Sequence, residues 1–291
     1  MEESIQEVPF IFQSPPFKLK TLKNTCKRSY YPMKKTALIT GASSGIGKEL
    51  AHIHAQKGGD LIVIARSENK LIALKKELES KYAIHVTVLT KDLTEPEAPQ
   101  EIYEYVKTAG LQVDYLINNA GFGGLGKFHQ RKLKDDLSMI AVNITALTSL
   151  THYFLQDFVK RNEGKILNVS SSAALTPGPL QAVYYASKAY VTSFSNALAE
   201  ELYATNITVT TLMPGATESK FGEVSGMDKT AVFVNLASAQ KVAEDGYNGM
   251  MEGKLDVITG LSPIQKLLTK LIPLTPKKIL LPQIRKMQEV S

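Results

Sequence analysis

Tyr184 and Lys188 stand four residues apart in a stretch with helical patterning, so one turn of helix brings their side chains to the same face. A free phenol, with a pKa of about 10, is a poor acid-base group at neutral pH, and a neighbouring ammonium favours the phenolate. Such a pair suits proton transfer to or from an oxygen. Tyr185 is the rival, but four residues beyond it stands Ala189, which carries no charge. Upstream lie three consecutive serines, Ser170, Ser171 and Ser172, at the end of an apolar run. From the residues alone, any of the three hydroxyls could be aimed at a substrate oxygen.

A second constellation lies near the start. The apolar run 36–40 leads directly into Gly41-Ala42-Ser43-Ser44-Gly45-Ile46-Gly47, followed by a helical segment that opens with Lys48 and Glu49. Glycines permit a tight turn, close backbone approach to a pyrophosphate and close helix-to-strand packing. The helix N-terminus adds free N–H groups and a positive dipole. Strand before and helix after point to a bound dinucleotide. The second apolar run, 61–65, ends in Ala65 and Arg66. An NAD site has a carboxylate there for the ribose 2′-hydroxyl, and an NADP site a cation for the 2′-phosphate. No carboxylate ends the run, Arg66 can hold a phosphate bidentately, and Ser43 or Ser44 can assist from the turn. NADP(H) is therefore favoured over NAD(H), with Lys48 as a second candidate cation.

These groups need a frame. Apolar runs at 36–40, 61–65, 85–89, 115–118, 165–170 and 207–213 alternate with amphipathic segments, notably 48–57, 71–81, 135–161 and 182–204. That alternation predicts an α/β fold, a single-domain Rossmann-type doubly wound parallel sheet with right-handed crossovers and helices on both faces. Ligands of such sheets collect outside the carboxyl ends of the strands, which sets Ser171 and the Gly41 turn on the same rim.

The spacing of the turn, with three residues between Gly41 and Gly45 and one before Gly47, departs from G-x-G-x-x-G. With Thr40 it resembles the turn of the short-chain dehydrogenase/reductase family. Asn118-Asn119-Ala120-Gly121 after the fourth run, Asn143, Ser171, Tyr184 and Lys188 follow in that family's order, and the resemblance covers about 34–260. It implies that Ser171, among the three serines, orients the substrate, that Tyr184 is the acid/base, and that Lys188 binds the nicotinamide ribose and lowers the tyrosine pKa. Asn143 would hold a water relaying protons to Lys188. Asn119 would support the central sheet, with the Ala120-Gly121 backbone bordering the cofactor. Asp92, within Lys91-Asp92-Leu93, resembles the residue that meets the adenine amino group. Pro214-Gly215-Ala216-Thr217 resembles the loop beside the nicotinamide carboxamide, and Ser219 stands where the family often has threonine. The implied function is an NADPH-dependent carbonyl reductase or alcohol dehydrogenase that works by hydride transfer on an apolar ketone, aldehyde or ketoacyl substrate. The resemblance also implies a homodimer or homotetramer built through the two long helices.

The 291 residues, 44% hydrophobic and 21% charged, suit a soluble chain with a large core. A net charge of +6 without Trp, and without Lys/Arg interleaved with aromatics, argues against nucleic acid. The single cysteine, Cys26, excludes an intramolecular disulfide, and the five histidines show no metal spacing. A cytoplasmic compartment and no metal site are expected, with His52 and His54 at the surface or its boundary. Residues 1–33 read as a flexible basic arm, and Met33, standing directly before the first strand, is a candidate start. The lid is expected between Glu218 and Ala237, where Phe221, Val224, Met227, Val232 and Phe233, with Phe122 and Leu125, suggest an apolar carbonyl compound. Residues 261–291 form a basic amphipathic extension, expected to dock on the protein's own fold, with weak contact to an anionic membrane surface as the alternative. A competing function is an NADP(H)-binding regulatory or scaffold protein with little turnover. Intact Ser171, Tyr184 and Lys188 argue against it.

Overall fold

Short Val/Ile/Leu-rich runs bounded by turns form seven strands: β1 (Thr36–Thr40), β2 (Asp60–Ala65), β3 (Val86–Thr90), β4 (Tyr115–Asn118), β5 (Gly164–Val169), β6 (Ile207–Pro214) and β7 (Asp256–Thr259). In this computed structural model, residues 34–230, 233, 236–272 and 275–289 are described. The arm 1–33, with the candidate start Met33, and the expected lid residue Val232 lie outside the described residues. The strands make one parallel sheet in the order β3-β2-β1-β4-β5-β6-β7. The order reverses between β1 and β4, and a crevice opens at the carboxyl ends of the strands at such a switch.

Successive side chains of a strand point to opposite faces. Ala37, Ile39, Leu61 and Val63 accordingly join one buried cluster, while Leu38, Ile62 and Ile64 join the other. Both faces are covered, which is why these strands read as continuous apolar runs. The helices, in chain order, are α1 (Gly45–Gln56), α2 (Glu68–Lys81), α3 (Ala98–Thr108), α4 (Leu133–Ile140), α5 (Leu147–Arg161), α6 (Ala182–Glu201), α7 (Phe221–Ser225), α8 (Ala239–Glu252), α9 (Pro263–Leu271) and α10 (Lys277–Gln288). α1, α2 and α8 pack on the first face. α3, α5 and α6 pack on the second.

Several boundaries differ from the sequence expectation. α1 begins at Gly45, so the last two glycines of the turn are already helical. The single helix expected over 135–161 begins at Leu133 and is divided by a π-helical turn, Ala141–Ala146, between α4 and α5. β7, α3 and α8 were not singled out by periodicity, and β7 has only four residues at the sheet's edge. His54 is not a surface residue. It is buried where α1 meets α8, with Nδ1 2.9 Å from the Tyr247 hydroxyl and Nε2 2.9 Å from the Lys35 carbonyl oxygen. Burial holds its imidazole below the ordinary value.

The extension 261–291 contains two helices. α9 opens with a capping box in which Ser262 and Gln265 satisfy each other's backbone N–H groups. It leaves Ile264 and Leu267 exposed, at 71% and 61%. α10 returns to the fold and buries Gln288. Among the described residues no helix is long and apolar enough to cross a membrane.

Candidate active site

The glycine turn is fixed from both sides. Gly41 and Gly45 adopt φ of +68° and +54°, the left-handed region that favours glycine. Gly41 N–H donates to the Ile64 carbonyl at 2.8 Å, tying the turn to β2. From the other side, the Asn119 and Ala120 amides each donate to Thr40 Oγ1 at 3.0 Å, and Asn119 Nδ2 donates to the Thr40 carbonyl at 2.9 Å. A Cβ on Gly47 would fall against Asn119 Nδ2 and 2.5 Å from the Gly41 oxygen, so no side chain fits there. No side chain caps α1 at Ser44. Its first-turn N–H groups are thus left for a ligand, and this cradle fits a pyrophosphate.

A cleft of about 360 Å³ extends from this turn across the carboxyl ends of β1, β4, β5 and β6. Gly41, Ser43, Ser44, Gly45, Ile46, Arg66, Asp92, Leu93, Asn119, Ala120, Gly121, Ser171, Tyr184, Lys188 and Thr217 all line it. Gly47 and Asn143 do not line it directly. The Arg66 side chain is 72% exposed and forms a loose ion pair with Asp92 at 4.0 Å. Asp92, which lines the cleft, accepts from Thr94 N and Oγ1 at 3.0 and 2.9 Å, an arrangement that fixes its carboxylate. Lys48, the second candidate cation, turns away to Glu77 at 3.5 Å and does not line the cleft.

The three serines separate. Ser170 Oγ donates to the Lys188 carbonyl at 2.8 Å and lies 2.8 Å from Thr192 Oγ1, so it is consumed in packing α6. Ser171 lines the cleft beside the Tyr184 phenol, while its Oγ donates to the Pro214 carbonyl at 3.5 Å and accepts from Ala173 N at 3.1 Å. Ser172 begins a short 3₁₀ turn, Ser172–Leu175. Burial pushes the Tyr184 phenol well above its ordinary range, and the neighbouring Ser171 hydroxyl opposes that only in part. Burial also lowers the Lys188 ammonium to about 8. Lys188 Nζ donates to the Val169 carbonyl at 2.8 Å and lies 6.0 Å from the centre of the Tyr184 ring. Among the protein's own groups, burial thus outweighs the proximity of the Lys188 ammonium at Tyr184.

Asn143 sits in the π-helical turn. Its Nδ2 donates to the Phe122 carbonyl and to Ser187 Oγ, both at 3.0 Å, and its Oδ1 accepts from Phe122 N at 3.1 Å. The side chain thus splints the loop after β4 to α6. A Cβ on Gly121 would lie 3.0 Å from Asn143 Oδ1 and 3.2 Å from Lys188 Nζ, so the two polar groups border one narrow space. Thr217 Oγ1 donates to the Gly215 carbonyl at 2.8 Å, and Ser219 Oγ accepts from Phe221 N at 3.2 Å at the start of α7. The Phe221 ring lies 5.2 Å from that of Tyr184 and stacks on Phe233 at 6.3 Å. Phe122, Val224 and Met227 complete this apolar side of the cleft, whereas Leu125 stays outside it, its N–H bonded to the Ser225 carbonyl. Sequence reasoning passed over Ser67, Lys220 and Tyr185, which also line the cleft. Lys220 follows a hydroxyl in a segment without periodicity, and Tyr185 was set aside because it lacks a lysine partner.

A parallel sheet with a glycine turn at its switch point, sharing one cleft with a buried Tyr-Lys pair on α6, defines a dinucleotide-binding α/β protein. The family model described as short chain dehydrogenase matches residues 35–229, and the chain belongs to that family, which binds a nicotinamide cofactor. The human 17-beta-hydroxysteroid dehydrogenase type 3 is 36% identical over 206 residues, 68% of this chain and 65% of that protein. The human very-long-chain 3-oxoacyl-CoA reductase is 31% identical over 194 residues, 65% and 61% of the two chains. The chain thus spans just under two thirds of the length of these relatives. A short-chain dehydrogenase from Sphingobium yanoikuyae in complex with NADPH superposes with a TM-score of 0.75 at 30% identity, covering 88% of this chain and 98% of that one.

Proposed function

We propose that this protein is an NADPH-dependent carbonyl reductase acting on a bulky apolar ketone or ketoacyl compound, and on the matching alcohol in reverse. The observation that carries this reading is that Ser171, Tyr184 and Lys188 line one cleft with the glycine turn. When bound, the nicotinamide supplies the hydride. Ser171 and Tyr184 hydrogen-bond the carbonyl oxygen where charge develops, and Tyr184 gives it a proton. Lys188, buried with an ammonium near 8, holds the nicotinamide ribose, and Asn143 fixes the loop and helix that carry Gly121 and Tyr184. The glycine turn and uncapped α1 hold the pyrophosphate, Asp92 and Leu93 border the adenine, and Arg66 with Ser43 and Ser44 holds the 2′-phosphate.

The apolar side of the cleft supports a bulky substrate, and the names of the steroid and 3-oxoacyl relatives agree with that class. A stripe of exposed Leu133, Leu137 and Ile140 on α4, beside Tyr190 of α6, supports a homodimer. The test is NADPH oxidation, followed by absorbance, against ketosteroids, 3-ketoacyl thioesters, aldehydes and quinones. Wild type should turn over at least one class, and Tyr184→Phe should lose roughly 100- to 10,000-fold in kcat while retaining NADPH affinity. Tight NADPH binding without turnover of any compound would favour the regulatory reading instead.

A further inference from the structure

α10 reaches the cleft wall through one side chain. Gln288, 1% exposed, donates from Nε2 to the Tyr185 hydroxyl at 2.8 Å and accepts at Oε1 from Gln181 Nε2 at 2.9 Å. Gln181, also 1% exposed, immediately precedes α6. Burying primary amides is unfavourable unless they are paired, and although Gln181 Oε1 finds no partner, the two bonds made here favour one arrangement of Gln181, Gln288 and the half-buried Tyr185 phenol. Tyr185 is the group that matters for chemistry. Its ring lines the cleft and meets the Tyr184 ring edge-on, with centroids 6.0 Å apart at 78°. The loop before α6 closes over the same ring, because a Cβ on Gly178 would fall inside it. Leu180 in that loop is held at φ +68°, a strained conformation for a leucine, and its carbonyl is bound by Gly126 N–H at 2.8 Å. The start of the helix that carries Tyr184 is therefore shaped from outside, and the part of that support nearest the cleft comes from Gln288.

We propose that Tyr185 is a specificity-determining residue, a rigid wall of the substrate cleft, and that Gln181 and Gln288 are positioning residues that clamp it from α10. The proposal rests on the reductase reading for its substrate. A large rigid ketone reaches Tyr185 and is aligned by it, whereas a small ketone sits between Ser171 and Tyr184 without touching the wall. The extension thereby contributes to substrate selection without contacting substrate itself.

Gln288→Leu preserves volume and removes the amide. With a polycyclic ketone its KM should rise about five- to tenfold, the net worth of one hydrogen bond, while kcat, NADPH affinity and the KM of cyclohexanone stay within about twofold. Tyr185→Phe should raise the polycyclic KM similarly and add nothing further in the Gln288→Leu background. Amide hydrogen exchange in 178–188, read without any substrate, should accelerate in Gln288→Leu. Equal rises in KM for both ketones, or additive effects of the two substitutions, would overturn the proposal, as would unchanged exchange. If the wild type reduces none of the ketosteroids, 3-ketoacyl thioesters, aldehydes and quinones yet exchange accelerates in that segment alone, the clamp stands while the reductase reading and the specificity role of Tyr185 fall.

Discussion

Replacing Lys188 by methionine removes a buried ammonium at nearly constant volume, and the structure sets both the size and the pH dependence of the effect. The lysine is 5% exposed and its ammonium is lowered from 10.5 to about 8 by burial. A shift of that size corresponds to roughly 3 kcal/mol of destabilisation, because the unfolded chain holds its proton more tightly. The penalty is fully present below pH 8, where both states are protonated. It is relieved as pH rises through about 8 towards 10.5, where both become neutral. Against this gain, Lys188→Met leaves the Val169 carbonyl without the donor at 2.8 Å, a loss of about 1–3 kcal/mol at every pH. In cofactor-free protein at pH 7 the two terms nearly balance, with the variant equal to wild type or up to about 2 kcal/mol more stable. By pH 10 most of the gain has gone, so the variant's relative stability should fall by about 2 kcal/mol. Urea unfolding of both proteins at pH 7, 8.5 and 10 measures that difference directly. A relative stability that stays constant or rises with pH would refute the reasoning, because the ammonium would then carry no burial penalty. Activity should be lost at all pH values.

Arg66→Asp places a carboxylate where the 2′-phosphate is proposed to lie, and the ratio of NADPH to NADH affinity, read by fluorescence titration, should fall at least tenfold, as befits loss of a charge-assisted contact of about 1.5–3 kcal/mol. Gly47→Ala drives a methyl group to 2.5 Å from the Gly41 oxygen, so NADPH affinity should weaken by roughly 10- to 100-fold, the equivalent of 1–3 kcal/mol of overpacking. Arg131→Leu removes the 2.7 Å partner of the buried Asp136 carboxylate and a donor to the Leu125 carbonyl. Urea unfolding should show a loss of about 3 kcal/mol or more.

The sheet was legible because a strand buried on both faces must be apolar throughout, and six of the seven strands announce themselves that way. β7 escaped notice because it is a four-residue edge strand, DVIT, with its first residue exposed. The glycine turn and the Tyr184–Lys188 pair were legible from spacing alone, since both depend on contacts within a few residues. The choice of Ser171 over Ser170 needed the position of α6, because Ser170 differs from it only in pointing back at Lys188 and Thr192. The environment of Tyr184 was legible only in part for a related reason. The spacing brings the ammonium near, but the depth of burial decides which effect wins, and burial depends on β5, α7 and the loop before α6. His54 and the Gln288 clamp were beyond reach, since each is defined by a partner more than a hundred residues away.

The bracket between Thr40 and Asn119 spans 79 residues and ties the glycine turn to the loop after β4. A folding intermediate that has paired only β1, β2 and β3 has the turn's sequence but not its shape, because half of the turn's support arrives with β4. Anions are then bound well only by chains whose central strands have already joined. Because ligand that binds the native state alone stabilises it by mass action, the dinucleotide concentration would act on the completed sheet rather than on its first half. Bound dinucleotide thereby opposes opening of the β1–β4 junction, which an equal stabilisation of the first three strands alone would not do.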